Sequence, residues 1–202
     1  MVATKLNFSR KIIEQLYNKL LTFLGENVDF PKFKYHPDPI STGAIKNSDE
    51  ICECCNEARG YVYNSILYSA EEIEFICPWC IADGSAAEKF DGMFSDNHPL
   101  IEAGVPEEVI SEVCERTPGY NSWQQEVWQA HCGTACEFHG DAKKKDLIEL
   151  NGDSLESFLK AEMIKPDNWK NILEHYSKGG NPAIYKFKCP ECSENIYTMD
   201  FT

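Results

Sequence analysis

The chain has 202 residues, of which 43% are hydrophobic, 12% aromatic and 26% charged, a balance that suits a folded globular protein and excludes a largely disordered one. Nineteen basic side chains against thirty-three acidic ones give a formal net charge of −14, so the surface repels phosphate backbones and direct binding of DNA or RNA is not expected. No run approaches the roughly eighteen consecutive apolar residues of a membrane span.

The charge is uneven along the chain. Residues 1–47 carry seven basic and four acidic groups, residues 48–116 three and sixteen, and residues 117–202 nine and thirteen. The middle segment is therefore either a well-solvated face or a surface for a basic partner.

From Ser9 to Leu24 apolar residues recur at Ile12, Ile13, Leu16, Tyr17, Leu20, Leu21 and Leu24, with Arg10, Lys11, Glu14 and Lys19 between them. That is the spacing of an amphipathic helix, opened by Ser9 and ended by Gly25. Its charges are unlike the apolar core of an export signal, so a cytoplasmic location is expected. The helix belongs to an N-terminal extension, residues 1–30, ahead of a single domain over 31–202. His36-Pro-Asp38 reads as a turn held by two prolines.

Cys52 and Cys55 form the first C-x-x-C pair, with Cys54 a bystander thiol. The run Gly60–Tyr68 is rich in aromatic and β-branched residues and predicts extended structure, and Glu74–Ile76 predicts a short strand leading into the second pair, Cys77 and Cys80. Ser85 with Glu88 has capping-box spacing and opens a short helix. Pro106–Arg116 predicts another, with Cys114 on its apolar side. Thr117–Tyr120 is a turn. Ser122 with Gln125 predicts a helix to about His131, after which Cys132 and Cys136 follow. Lys143–Lys145 reads as an exposed loop. Helices are expected at about 154–163 and 166–177, then strands at 183–188 and 195–201 flanking the last pair, Cys189 and Cys192. The whole is an α+β domain with a zinc-ribbon-like core of small antiparallel strands surrounded by helices.

In a reducing compartment cysteines at such spacings are metal ligands more often than disulfides. Two C-x-x-C loops aim four thiolates at one point, as tetrahedral zinc requires. Cys52, Cys55, Cys77 and Cys80 form the first expected site, and Cys132, Cys136, Cys189 and Cys192 the second, with His131 and His139 as alternative ligands there. Two zinc ions are expected. Cys77-Pro-Trp-Cys80 also has the form of a redox pair, but it lacks a βαβ frame and has a second pair in register.

Catalytic patterns are missing. There is no H-x-E with a downstream P-C-x-x-C, no H-E-x-x-H, no phosphate-cradling glycine loop and no G-x-S-x-G. A four-thiolate site is closed and structural. An enzyme would need a pocket elsewhere, such as around Asp83–Ser85 and Arg116–Glu126, lined by Trp123, Gln124 and Gln125.

Five stretches carry a family resemblance: Phe33–Gly43, the Cys52/Cys55 knuckle running into Arg59-Gly-Tyr61, Cys77-Pro-Trp-Cys-Ile-Ala-Asp-Gly-Ser-Ala-Ala-Glu-Lys-Phe90, Arg116–Glu126, and His131-Cys132 with Cys136. The sequence resembles the CbrC-like colicin-tolerance family of bacterial proteins, closely over 33–139 and loosely at Cys189/Cys192. The resemblance implies a toxin-tolerance or immunity-type protein and supplies no catalytic residues; with the zinc sites read from the cysteine spacing, the expected function is that of a zinc-binding, non-catalytic binder. The expected partner is a basic nuclease toxin, met by acidic residues of 48–116 such as Glu71, Glu72, Glu74, Glu107 and Glu108. A zinc-stabilised adaptor with another partner is the alternative binding role.

Overall fold

The computed structural model describes residues 29–202, and the helix expected over 9–24 lies outside them. Strand β1 (Ile45–Asn47) pairs antiparallel with β2 (Tyr61–Tyr63), with Ile45 opposite Tyr63. The chain between them carries the Cys52/Cys55 loop. The strand expected at Glu74–Ile76 does not form. That segment makes two separate backbone bonds, Tyr63 N–H to the Ile76 carbonyl and Glu53 N–H to the Phe75 carbonyl, both at 2.8 Å. They run to different neighbours, so no ladder develops.

Four short helices follow. Helix α1 (Pro78–Ala82) starts directly after Cys77, with proline in the first position where the missing N–H costs nothing. Helix α2 (Ser85–Phe90) starts after Gly84, whose φ of 81° turns the chain. Ser85 is thus the first helical residue and not the cap that its spacing with Glu88 suggests. Helix α3 spans His98–Glu102 and α4 Glu107–Arg116, the latter starting behind Pro106 as expected.

The helix expected over 122–131 is not there. The Trp123 and Gln124 N–H groups both donate to Asp200 Oδ2, at 2.6 and 3.1 Å, and the Val127 N–H donates to the Tyr120 hydroxyl at 2.9 Å. Gln125 uses its amide on Asp96 (2.7 Å), not on a helix end. Tertiary acceptors have taken the donors that a helix would need. Residues 130–135 instead form a hairpin of β3 (Ala130–His131) and β4 (Thr134–Ala135). Its two-residue turn is Cys132-Gly133, with φ of 51° and 73°, the double left-handed geometry of a type I′ turn.

The main sheet has the order β5-β6-β7, all antiparallel: β5 Glu137–Asp141, β6 Ala183–Lys188 and β7 Asn195–Asp200. Between β5 and β6 come α5 (Lys144–Glu149), α6 (Gly152–Ala161) and α7 (Pro166–His175). The expected lysine loop is therefore the start of a helix. Asp146 accepts the Lys143 N–H at 2.9 Å and pairs with Lys186 at 2.9 Å, which anchors that start to β6.

Both faces of the sheet are covered, which explains the nearly unbroken burial of β6. One face carries Tyr185 and Phe187 into a core with Tyr35, Leu100, Val113, Cys114, Tyr120, Trp128 and Phe138. Tyr120 stacks on Phe138 with centroids 4.2 Å apart, and Trp128 meets Phe187 edge-on at 5.9 Å. The other face carries Ile184 and Tyr197 against Leu147, Phe158 and Trp169 from the helical insertion. Pro31–Thr202 forms one compact unit. No described helix is long and apolar enough to cross a membrane.

Candidate metal centres

Two groups of four donors converge, each with all its ligand atoms within 4.8 Å of one another. The first is Cys52, Cys55, Cys77 and Cys80. Sulfurs about 2.3 Å from a tetrahedral zinc lie about 3.8 Å apart. Here Cys52 and Cys80 are 3.9 Å apart, Cys55 and Cys77 3.9 Å, and Cys77 and Cys80 3.5 Å. A disulfide would need about 2.05 Å, and all ten cysteines are free.

The two halves of this centre differ. Cys52–Cys55 is a loop closed by the Asn56 N–H on the Cys52 carbonyl (2.8 Å) and the Cys52 N–H on the Glu57 carbonyl (3.0 Å). Cys77 and Cys80 are not a second loop of this kind. Cys77 caps α1 and Cys80 sits in its first turn, so the three-residue spacing puts both thiols on one helix face. The expected ribbon of two equivalent knuckles is in fact a loop facing a helix start. Cys54 stays outside the group, with its sulfur 3.5 Å from Ser85 Oγ.

The free thiols already compete for charge. A hydrogen bond from Cys77, with backbone N–H groups of Cys55, Cys77 and Cys54, pulls Cys52 down to about 4. The same contact pushes Cys77 up, and burial pushes Cys80 up. One sulfur takes the negative charge and its neighbours must keep their protons. A divalent cation removes this conflict, because all four then deprotonate onto it.

The basic residues of the acidic middle segment serve this centre. That segment holds only Arg59, Lys89 and Arg116. Lys89 Nζ donates to the Glu53 and Cys54 carbonyls at 2.7 and 2.9 Å, holding the loop. Arg116 Nε donates to the Ala82 carbonyl at 3.1 Å, at the end of the helix that carries Cys80. Arg59 stacks over Trp79 (5.5 Å), and Cys77 and Cys55 are among the groups that act on its charge. Four thiolates around a divalent ion carry a net charge of −2, which nearby cations offset.

The second group is His131, Cys132, Cys189 and Cys192. His131 Nδ1 lies 3.3 Å from both the Cys132 and the Cys192 sulfur, close to the roughly 3.6 Å expected for nitrogen and sulfur on one tetrahedral zinc. Cys189–Cys192 closes the β6–β7 hairpin with the same backbone pattern as Cys52–Cys55: Ser193 N–H to the Cys189 carbonyl (2.9 Å) and Cys189 N–H to the Glu194 carbonyl (2.8 Å). His131 and Cys132 come from the tight β3–β4 turn.

Cys136, an expected ligand, falls outside this four-donor group, which His131, one of the expected alternatives, completes. Cys136 directly follows β4 and is fully buried, as is Cys189, in the aromatic core. Its N–H donates to the Gln129 carbonyl (2.8 Å), and its own carbonyl accepts the Trp128 indole N–H (2.9 Å). Burial pushes its thiol up to about 12, and the neighbouring Cys189, Cys192 and Cys132 thiols add to the rise, Cys189 also through a direct side-chain contact. His139 points elsewhere, to Glu137 at 3.1 Å. On Cys189, burial works upward but is outweighed by the N–H groups of Cys192 and Glu191 and by His131, which leave it at about 7.

The two centres differ in exposure. Cys52, Cys77 and Cys80 are buried and Cys55 partly so, whereas Cys132 and Cys192 are both exposed and only Cys189 is buried. A groove of about 630 Å³ opens beside the second centre, between α6 (Asp153, Ser157, Phe158) and a wall that includes His131, Cys192 and Glu194. The pocket expected around Asp83–Ser85 and Arg116–Glu126 has no counterpart in that groove. Trp123 is 56% exposed, and Gln124 and Gln125 are tied to Phe201 and Asp96.

Two cysteine-rich four-donor groups on a small α+β frame could each hold a metal ion, and their donor sets resemble those of structural zinc sites. The chain belongs to the Uncharacterised protein family (UPF0167), whose profile matches residues 30–201. It is similar to a UPF0167 protein of Pseudomonas aeruginosa, 46% identical over 178 residues, 87% of this chain and 99% of the relative. It is also similar to UPF0167 proteins of Mycobacterium bovis and Mycobacterium tuberculosis, each 38% identical over 174 residues, 85% of this chain and 93% of the relative. No solved structure gives a significant match.

Proposed function

We propose that this protein is a two-zinc, non-catalytic binding protein that presents an acidic face to a basic protein partner. The observation that carries the reading is the pair of four-donor groups. Each fills a tetrahedral shell with protein ligands and leaves no position for a reacting water. Zinc then acts as a fastener. It fixes surfaces in advance, so less ordering entropy is lost on binding.

The acidic residues of the middle segment support the second half of the reading. Glu71, Glu72, Glu74, Glu107 and Glu108 are all exposed, and none takes part in a salt bridge among the described residues. Unpaired surface carboxylates steer a cationic partner and speed encounter. The toxin-tolerance role implied by the sequence resemblance fits such a face, with the phosphate-binding cleft of a nuclease toxin as the cationic surface.

The test is co-expression with the nuclease domain of a colicin-type toxin. The expected result is protection with a one-to-one complex, lost when Glu71, Glu72 and Glu74 are changed together to lysine. Protection at far below one protein per toxin, or no complex, would contradict the reading.

A further inference from the structure

We infer that the His131/Cys132/Cys189/Cys192 centre is an oxidation-sensitive zinc site, the target of peroxide-class oxidants, while the Cys52/Cys55/Cys77/Cys80 centre is inert. The inference rests on the two-zinc reading above and adds reactivity to one of its sites. Three observations carry it. First, Cys132 and Cys192 are exposed, whereas three of the four sulfurs of the other centre are buried. Second, the groove beside α6 has His131 and Cys192 in its wall, so a small oxidant reaches the sulfurs without any opening of the fold. Third, Cys132 stands at the tip of a two-residue turn and Cys192 in an exposed loop, and their sulfurs lie within 4.8 Å. A small movement of either brings them to bonding distance.

The chemistry balances with hydrogen peroxide as the oxidant. The Cys192 thiolate attacks one peroxide oxygen, the O–O bond breaks and hydroxide leaves, giving a sulfenic acid. The Cys132 thiolate then attacks that sulfur, the S–S bond forms and a second hydroxide leaves. Two protons from solvent turn both hydroxides into water. Two sulfurs have lost two electrons and peroxide has gained them. The zinc, left with His131 and Cys189, dissociates. The tie between the β3–β4 turn and the β6–β7 hairpin is then a disulfide instead of a metal.

Exposure governs such attack, because a thiolate held by zinc stays nucleophilic only where the oxidant can reach it. The experiment treats the zinc-loaded full-length protein with hydrogen peroxide. It follows released zinc with a colorimetric chelator and maps disulfides by mass spectrometry of unreduced peptides. The expected result is release of one equivalent at least about tenfold faster than the second, with a Cys132–Cys192 cross-link appearing in step. The Cys132→Ser variant should lose that cross-link, while Cys54→Ser should behave as the parent. Release of both equivalents together, earlier oxidation of Cys52, Cys55, Cys77 or Cys80, or no release under conditions that oxidise a free thiol would each overturn the inference. A protein that holds two zincs but releases them together defeats only this inference. A protein that holds none defeats the two-zinc reading as well.

Discussion

Asn56 and Ser193 occupy the same place in two separate cysteine loops: each directly follows the second cysteine, with a left-handed φ of 60° and 65°. In both, the N–H of this residue returns to the carbonyl of the first cysteine, at 2.8 and 2.9 Å. The turn needs a positive φ to bring both sulfurs to one side, and a side chain there costs roughly 1 kcal/mol. Changing either residue to glycine should leave stability unchanged or raise it by up to about 1 kcal/mol. Changing either to valine should cost about 1–2 kcal/mol. Denaturant unfolding of the zinc-loaded variants measures both, and a harmless valine would show that the loop geometry is not the constraint.

His131 completes the second four-donor group, and the buried Cys136 lies beside it. Cys132→Ser should reduce the zinc content by one equivalent. Cys136→Ser should keep both zincs and lower stability by about 1–3 kcal/mol, because it puts a hydroxyl into the aromatic core. Metal content and unfolding free energy, measured on the same samples, separate the two effects. Loss of a zinc from Cys136→Ser with unfolding unchanged would restore Cys136 as a ligand.

His36 makes stability depend on pH. It is fully buried against Phe138. Its Nδ1–H donates to the Pro118 carbonyl at 2.8 Å, so Nε2 is the unprotonated nitrogen and accepts from the Thr42 hydroxyl at 2.6 Å. Burial lowers its pKa from 6.5 to about 4. The unfolded chain therefore binds a proton that the folded chain refuses between those values. This contribution is fully present above pH 6.5 and is lost as pH falls towards 4, by an amount on the order of 3 kcal/mol. In His36→Gln that part of the fall should vanish. Unfolding free energies at pH 7, 6 and 5 test it, and equal slopes for parent and variant would contradict it.

The sequence carried some of this architecture and hid the rest. The paired cysteines, the strands around Cys189/Cys192, the helix after Pro106 and the burial of Cys114 were legible because local spacing decides them. The stretch 122–129 was not. Its capping-box pattern was overridden by Asp200, a carboxylate 76 and 77 residues away that takes its backbone donors. Cys77–Cys80 matched a loop in spacing but starts a helix, where Pro78 supplied the clue. The place of His131 in the second four-donor group depends on the turn at Cys132-Gly133. Glycine in the second position of a two-residue turn is a partial signal for such a turn, and the expectation of a preceding helix masked it.

The most direct test is the metal content of protein purified without chelator, together with a thiol count after denaturation. The account predicts two zinc ions per chain and ten reactive thiols once the metal is removed. A chain without metal, or with the seven cysteines of its two four-donor groups oxidised to disulfides, would contradict it.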